Sequence, residues 1–213
     1  MSIKACARVR RTKNTRTIRR VIEGREVPLP SNWSSFLALG DNKADLAQFL
    51  SEELIERAPQ QKIVVVSGGF DDEKEVRCSK STAVNLKTLQ STHEEADTRF
   101  VLHAIHHNGE VNNVVICARD TDVLLLLLAH KERITSKVWL WAGTSKKPKY
   151  IPIDQVFNNL PPSTERSLLQ FHAITGCDTT SYLSGHSKKT AWKVFLENFE
   201  LLLPLGEGAL EED

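Results

Sequence analysis

The second half of the chain alternates short apolar runs with longer amphipathic segments, and this alternation limits the fold more than any other feature. Residues 112–118 (NNVVICA), 137–143 (KVWLWAG) and 148–153 (PKYIPI) have the composition of strands. The segments predicted to be helices are 93–107, 119–131, 165–176 and 187–199. Strands that alternate with helices predict an α/β fold with a mainly parallel central sheet, flanked by helices on both faces.

The first half contains fewer signals. Residues 42–58 have helical periodicity, 62–69 (KIVVVSGG) predict a buried strand, and 70–82 predict a hairpin or an exposed excursion. We therefore expect a disordered basic arm over residues 1–30, one α/β domain over 31–200 and an acidic tail over 201–213.

The charge is unevenly distributed. Nine lysines and arginines and one acid precede residue 26, so the net charge of +1 leaves the rest of the chain negative. A basic arm on an acidic body is compatible with a nucleic-acid partner, and equally with a solvated tail or a nuclear-localisation segment.

Composition argues against other classes. The apolar run Val123–Ala129 is too short to cross a bilayer, and the basic N-terminus lacks the apolar segment of a secretory signal, so we expect no membrane partner. Four separated cysteines with no CxxC argue against a zinc ribbon or a disulfide framework. A nuclear or cytoplasmic location follows as an expectation.

Three acidic clusters carry the candidate chemistry, and each has a structural alternative. Glu95 and Asp97 lie in HEEADTR, which also fits a capping box at a helix start. Asp120 and Asp122 follow a predicted strand, where Asp120 is equally suited to cap the next helix. Asp178 follows a helix end and is suited to a turn.

Taken together, the clusters predict a metal centre. The ends of parallel strands and the starts of the following helices meet at one edge of a sheet, where ligands bind. Five carboxylates at that edge would repel one another unless cations neutralised them. Oxygen ligands suit Mg²⁺ or Mn²⁺, and two such ions can promote hydrolysis of a phosphodiester.

The ordered motifs E-A-D, D-T-D and T-G-C-D resemble the flap endonuclease/5′ nuclease branch of the PIN-like superfamily. This resemblance implies metal-dependent phosphodiester hydrolysis, on DNA rather than RNA. The implied metal ligands and catalytic residues are Glu95, Asp97, Asp120, Asp122 and Asp178. The stretch 185–191 is similar to the family's G-x-G-x-K-x-A element, which implies phosphate contacts near Gly185, Lys188 and Lys189, with Ser187 in place of the second glycine.

Residues 32–199 also resemble a group of transposon-associated animal proteins that share S-N-W-x-x-F-L, H-E-E-A-D-T-R, D-T-D-V-L and T-G-C-D-T-T-S. The flap-nuclease pattern departs at two places. The predicted strand 62–69 ends in Ser67, Gly68 and Gly69 where the family has an aspartate, and no N-terminal strand with a further aspartate is evident. The chain thus resembles a form that lacks its first strand.

Three alternatives stay open. A catalytically inactive, nuclease-derived domain that binds nucleic acid or another partner fits the same motifs. A DxD sugar-nucleotide enzyme fits Asp120 and Asp122 alone. His103 and His107 have the spacing of a transition-metal pair, but no third ligand is evident, so we expect ordinary histidines there; we expect His172 to be a packing residue.

Overall fold

The computed structural model describes residues 18–72, 74–80, 86–91, 96–107, 111–177, 180 and 184–206. Contacts divide the chain into two compact units, Met1–Glu94 and Glu95–Asp213, where the sequence predicts one domain over 31–200. Both units contain helices and strands, so the expected α/β class is confirmed at this level. No helix within the described ranges is both long and apolar enough to span a membrane.

Two consecutive helices form the frame of the first unit. Helix α1 comprises Trp33–Ala38, and its N-terminus is capped by Asn32, whose Oδ1 accepts the N–H of Ser35 at 3.0 Å. Helix α2 comprises Gly40–Glu56. The helix predicted over residues 42–58 is therefore confirmed, with a start two residues earlier.

Asn42 joins the end of the predicted basic arm to these helices. Its side chain is 0% exposed, yet all its hydrogen-bonding positions are used. Oδ1 accepts the backbone N–H of Arg20 at 2.8 Å and the guanidinium of Arg19 at 3.2 Å. Nδ2 donates to the carbonyl oxygens of Ile18 and Phe36 at 2.9 and 3.1 Å. Because every polar atom is paired, this buried amide holds the arm's end in place.

Two arginines of the arm bind acids on α2. Arg19 lies 2.7 Å from Oδ2 of Asp45, and this hydrogen bond lowers the pKa of Asp45. Arg25 lies 2.8 Å from Oε2 of Glu53. The end of the arm is therefore bound to α2. The disorder predicted for residues 1–30 stays a prediction for the earlier part of that range, which lies outside the described residues.

The first unit is completed by a hairpin. Strand β1 (Val65–Ser67) pairs antiparallel with β2 (Val76–Cys78), and Val66 lies opposite Arg77. The guanidinium of Arg77 stacks on the ring of Phe70 at 4.1 Å from its centroid. Of residues 70–82, for which a hairpin or an exposed excursion is predicted, the described part supplies one strand, β2, and its hairpin partner β1 lies before that range.

Two glycines that follow β1 bring the hairpin onto α2. Gly68 and Gly69 have φ values of 97° and 80°, which favour glycine. A Cβ on Gly69 would overlap Oγ of Ser51 and lie 2.9 Å from the carbonyl oxygen of Ala47. Oγ of Ser51 also donates to the carbonyl oxygen of Gly68 at 3.1 Å. The SGG sequence is thus required for close packing between β1 and α2.

The second unit contains a three-stranded sheet in the order β3-β4-β5. Strand β3 (Asn113–Cys117) pairs in parallel with β4 (Lys137–Trp141), with Val115 opposite Trp139. Strand β5 (Tyr150–Pro152) pairs antiparallel with β4. All three strands were predicted from the sequence.

The mainly parallel central sheet that the sequence predicts is not observed among the described strands, because β5 runs antiparallel to β4. The connection over residues 142–149 is too short for a parallel crossover, which needs a dozen or more residues. It reverses tightly instead, because the N–H of Ala142 bonds to the carbonyl oxygen of Lys149 at 3.0 Å. Thr144 and Lys147 exchange two further backbone hydrogen bonds. The sheet is therefore mixed.

Five helices accompany this sheet within the described residues. They are α3 (Ala96–His106), α4 (Thr121–Ala129), α5 (Ile153–Asn158), α6 (Leu168–Ile174) and α7 (Lys188–Asn198). The helices predicted near residues 93–107, 119–131, 165–176 and 187–199 are α3, α4, α6 and α7, so these predictions are confirmed apart from their ends. Gly176 follows α6 with a φ of 93°, as expected of a glycine beyond a helix C-terminus.

The core of the second unit lies on one face of the sheet. Val123 and Leu127 of α4 are fully buried there with Val138 of β4. The opposite face differs, since Val115 is 53% exposed, so the described helices do not cover β3 on both sides as expected. On α7, Phe195 belongs to this core, whereas its neighbour Val194 is 58% exposed.

An ion pair fixes the start of β4. Oδ2 of Asp154 accepts the backbone N–H of Val138 at 2.9 Å, and Oδ1 lies 3.0 Å from Nζ of Lys131. Nζ of Lys131 also donates to the carbonyl oxygen of Ile134 at 2.7 Å. Burial raises the pKa of Asp154, but the hydrogen bonds from Val138 and Lys131 outweigh this effect and lower it.

Replacing Asn42 by leucine should destabilise the first unit by about 2–4 kcal/mol, because the arm's backbone groups lose their buried partners. Urea titration followed by circular dichroism measures the change in the free energy of unfolding. Gln48→Leu is the matched control, with an expected change within about 0.5 kcal/mol. Equal effects of the two variants would contradict the role of Asn42.

Replacing Asp154 by asparagine should reduce stability at neutral pH. The lowered pKa means that the contribution of Asp154 is present above its unfolded pKa of about 4 and is lost as pH falls through the folded value. The difference in unfolding free energy between wild type and Asp154→Asn should therefore shrink between about pH 5 and pH 2. Glu132→Gln, at an exposed carboxylate on the neighbouring turn, is the control. A difference that stays constant with pH would contradict this prediction.

Candidate metal and nucleic-acid site

Asp120 lies where β3 passes into α4. It is the N-cap of α4, with φ −79° and ψ 135°, and its Oδ1 accepts the N–H of Asp122 at 3.0 Å. The structural alternative that we left open for Asp120 is therefore confirmed. The residue is exposed, and its other carboxylate oxygen makes no hydrogen bond within the described part of the chain. Capping thus leaves one oxygen available to a ligand.

Asp122 and Lys188 lie on either side of His172. Oδ1 of Asp122 is 3.3 Å from Nε2 of His172, whose Nδ1 is 3.2 Å from Nζ of Lys188. The side chain of Asp122 is 27% exposed and that of His172 is 13% exposed. Asp122, a predicted metal ligand, and Lys188, a predicted phosphate-binding residue, therefore contact the same imidazole ring.

Aromatic packing between α6 and α7 makes this contact possible. The ring centroid of Phe171 lies 4.6 Å from that of Phe195 and 5.4 Å from that of Trp192. Phe171 and Phe195 are also buried in the core beneath α4. Since His172 is the next residue after Phe171, this packing fixes the last turn of α6 beside the N-terminus of α7.

The residues before α7 explain the departure from the G-x-G-x-K-x-A pattern. Gly185 has a φ of 81°, a conformation that favours glycine. Ser187, in place of the second glycine, has a φ of −79° and caps α7 by accepting the N–H of Thr190 at 3.2 Å. Glycine is therefore not required at position 187, and serine stabilises the helix start that carries Lys188 and Lys189.

Cys177 and Thr180 are the described residues nearest to Asp178 on either side. Oγ1 of Thr180 donates to the carbonyl oxygen of Ala173 at 2.6 Å and accepts the N–H of Cys177 at 3.1 Å. These bonds hold the flanking residues against the C-terminal end of α6. Asp178 itself lies outside the described residues, as does Glu95.

Asp97 lies half-buried in the first turn of α3, which packs against α4. No group of three or more histidines, cysteines or acids that could hold a metal is found among the described residues. Two of the five predicted ligands, Glu95 and Asp178, lie outside the described residues, and the absence of such a group therefore does not apply to them. The complete ligand set therefore stays a prediction.

The histidines of α3 show no metal site in the described part of the chain. His103 is half-buried, and burial is the main cause that lowers its pKa, followed by electrostatic repulsion from His107, His106 and Arg99. His106 and His107 contact each other edge to face, with ring centroids 5.1 Å apart. The neutral form of His103 is thus favoured.

Comparison with family models, with curated proteins and with solved structures finds no match. The site must therefore be interpreted from its own residues. The sequence motifs predict Asp122 and Lys188 as site residues, whereas they indicate only a packing role for His172. The one available signal for His172 is its place on the helix that leads into TGCD, six residues before Asp178. A contact between helices so far apart in the chain leaves no local pattern.

The capping role of Asp120 can be separated from any other role. Asp120→Ala should lower the free energy of unfolding by about 1 kcal/mol, whereas Asp120→Asn should preserve it, because asparagine caps as well as aspartate. Thermal and urea unfolding of both variants provide the measurement. A loss of stability in Asp120→Asn as large as that in Asp120→Ala would contradict the capping role.

Proposed function

We propose that this chain is a nucleic-acid-processing domain of the PIN-like, flap-endonuclease type, which hydrolyses phosphodiester bonds with Mg²⁺ or Mn²⁺. The observation that supports this proposal is the placement of Asp122 and Lys188 on either side of His172. The two residues were assigned to different parts of the same chemistry, metal binding and phosphate binding. A nuclease requires these parts to be adjacent.

The described acids are chemically suited to such a cation. Asp120 and Asp122 each use one carboxylate oxygen in a contact, with the N–H of Asp122 and with His172 respectively. Their remaining oxygens make no hydrogen bond within the described residues, and carboxylate oxygens are preferred ligands of Mg²⁺ and Mn²⁺. Glu95, Asp97 and Asp178 would complete the ligand set. When bound, the cation would offset the carboxylate charge and stabilise the leaving oxygen.

The chain's own cations would hold the nucleic acid. Lys188 and Lys189 are exposed at the N-terminus of α7, where backbone N–H groups also favour an anion. Their ammonium groups would contact phosphate oxygens on the strand to be cut, and Gly185 would allow the backbone to turn beside them. Arg19 and Arg25 already bind acids on α2, so we assign the phosphate contacts first to α7.

The test uses variants that keep the helix cap. Asp120→Asn/Asp122→Asn should cut labelled single-stranded, flap and hairpin DNA at least about 100-fold more slowly than wild type in Mn²⁺. Asp71→Asn/Asp72→Asn removes the same charge from the β1–β2 hairpin and should leave the rate unchanged. Matched RNA substrates establish the preference for DNA.

Each outcome separates two hypotheses. Equal cleavage by the wild type and by Asp120→Asn/Asp122→Asn would contradict the catalytic assignment. Salt-sensitive DNA binding by a wild-type protein that does not cut any substrate would favour the inactive, nuclease-derived binding domain.

A further inference from the structure

His172 is the link between the two charged groups of the candidate site. It lies in the last turn of α6, and its side chain is only 13% exposed. Both ring nitrogens are engaged, Nε2 at 3.3 Å from Asp122 and Nδ1 at 3.2 Å from Lys188. His172 therefore lies between a carboxylate and an ammonium, within 3.3 Å of each.

The chemistry of the partners fixes the position of the ring proton. A lysine ammonium can only donate, so Nδ1 of His172 must accept from Lys188. The ring proton of neutral His172 is then on Nε2, the nitrogen that lies 3.3 Å from Oδ1 of Asp122. The other neutral tautomer would place an N–H against the ammonium and a lone pair against the carboxylate. One tautomer therefore satisfies both contacts at once.

We propose that His172 is a positioning residue that holds the Lys188 ammonium beside the carboxylates, ready for a phosphate of the nucleic acid. This inference rests on the proposed function and deepens it. A lysine side chain has four rotatable bonds, and fixing it costs up to about 2 kcal/mol of conformational entropy. If His172 orders the Lys188 side chain before the nucleic acid binds, less conformational entropy is lost on binding.

A neutral imidazole is better suited to this task than a carboxylate. Within the described residues, Lys188 has no acidic partner, and His172 is its only side-chain hydrogen-bond partner. An acid in place of His172 would neutralise the ammonium and compete with the phosphate. The imidazole instead orients Lys188 through a hydrogen bond and leaves its full charge available.

Lys189 provides an internal comparison. It has the same charge, lies one residue further along α7 and is exposed, but it makes no hydrogen bond or ion pair with another described residue. Any effect of His172 that operates through Lys188 should therefore be absent for Lys189.

A double-mutant cycle on nucleic-acid binding tests the inference. Binding of a fluorescent single-stranded DNA oligonucleotide is measured without metal, in EDTA, over a series of salt concentrations. Lys188→Met and His172→Phe should each weaken binding about three- to tenfold, and Lys188→Met should reduce the salt slope by about 0.7. The double variant should bind no more weakly than Lys188→Met alone. In a second cycle of His172→Phe with Lys189→Met, the two fold-losses in affinity should multiply, because His172 and Lys189 are not coupled.

Two further measurements exclude a merely structural role. His172→Asn places an amide oxygen where Lys188 can donate to it, so it should bind DNA more tightly than His172→Phe. If His172→Phe does not fold, His172→Asn takes its place in the double-mutant cycle. Nitrogen-15 NMR of the free protein should show the proton of His172 on Nε2, with this preference reduced in Lys188→Met and unchanged in Lys189→Met.

The outcomes distinguish this inference from the proposed function. Independent effects of His172 and Lys188 in a protein that binds DNA would overturn the inference alone, as would a ring proton on Nδ1. Failure of the wild-type protein to bind nucleic acid would overturn the proposed function and this inference with it.

Discussion

The parallel pairing of β3 with β4 determines where the described candidate residues lie. A parallel pair requires a crossover, and α4 supplies it with a leucine-rich segment whose Val123 and Leu127 are fully buried. That burial packs α4 onto the sheet and onto α6, so its first turn must begin at the carboxyl end of β3. Asp120 caps this first turn, and Asp122 lies in it. Their position is thus a consequence of core packing in the second unit.

The carboxylates at this edge have structural and chemical roles that do not exclude each other. Asp120 caps a helix through one oxygen, and Asp122 meets an imidazole through one oxygen. Each acid keeps a second oxygen, which is the atom that a cation would need. A hydrogen bond or ion pair made by one carboxylate oxygen therefore does not prevent the same residue from binding a metal ion. It can instead fix the carboxylate in the orientation that binding requires.

The sequence predicted those features whose causes are local. Runs such as NVVIC and KVWLW identify strands because β-branched and aromatic residues crowd a helix, and Asp120 identifies a helix start by its capping chemistry. It did not predict the direction of β5, which is decided by a short, tight connection. Nor did it predict the contacts of His172, which depend on partners 50 and 16 residues away. Glu95 and Asp178 stay as motif-based assignments, because they lie outside the described residues.

The contact between Gly69 and α2 limits how this chain could change. The predicted resemblance to flap nucleases would place an acid in the segment Ser67, Gly68 and Gly69. A side chain at Gly69 would collide with Ser51 and with the backbone of Ala47, and the positive φ adds strain. A single substitution at Gly69 therefore cannot introduce an acid there without moving α2.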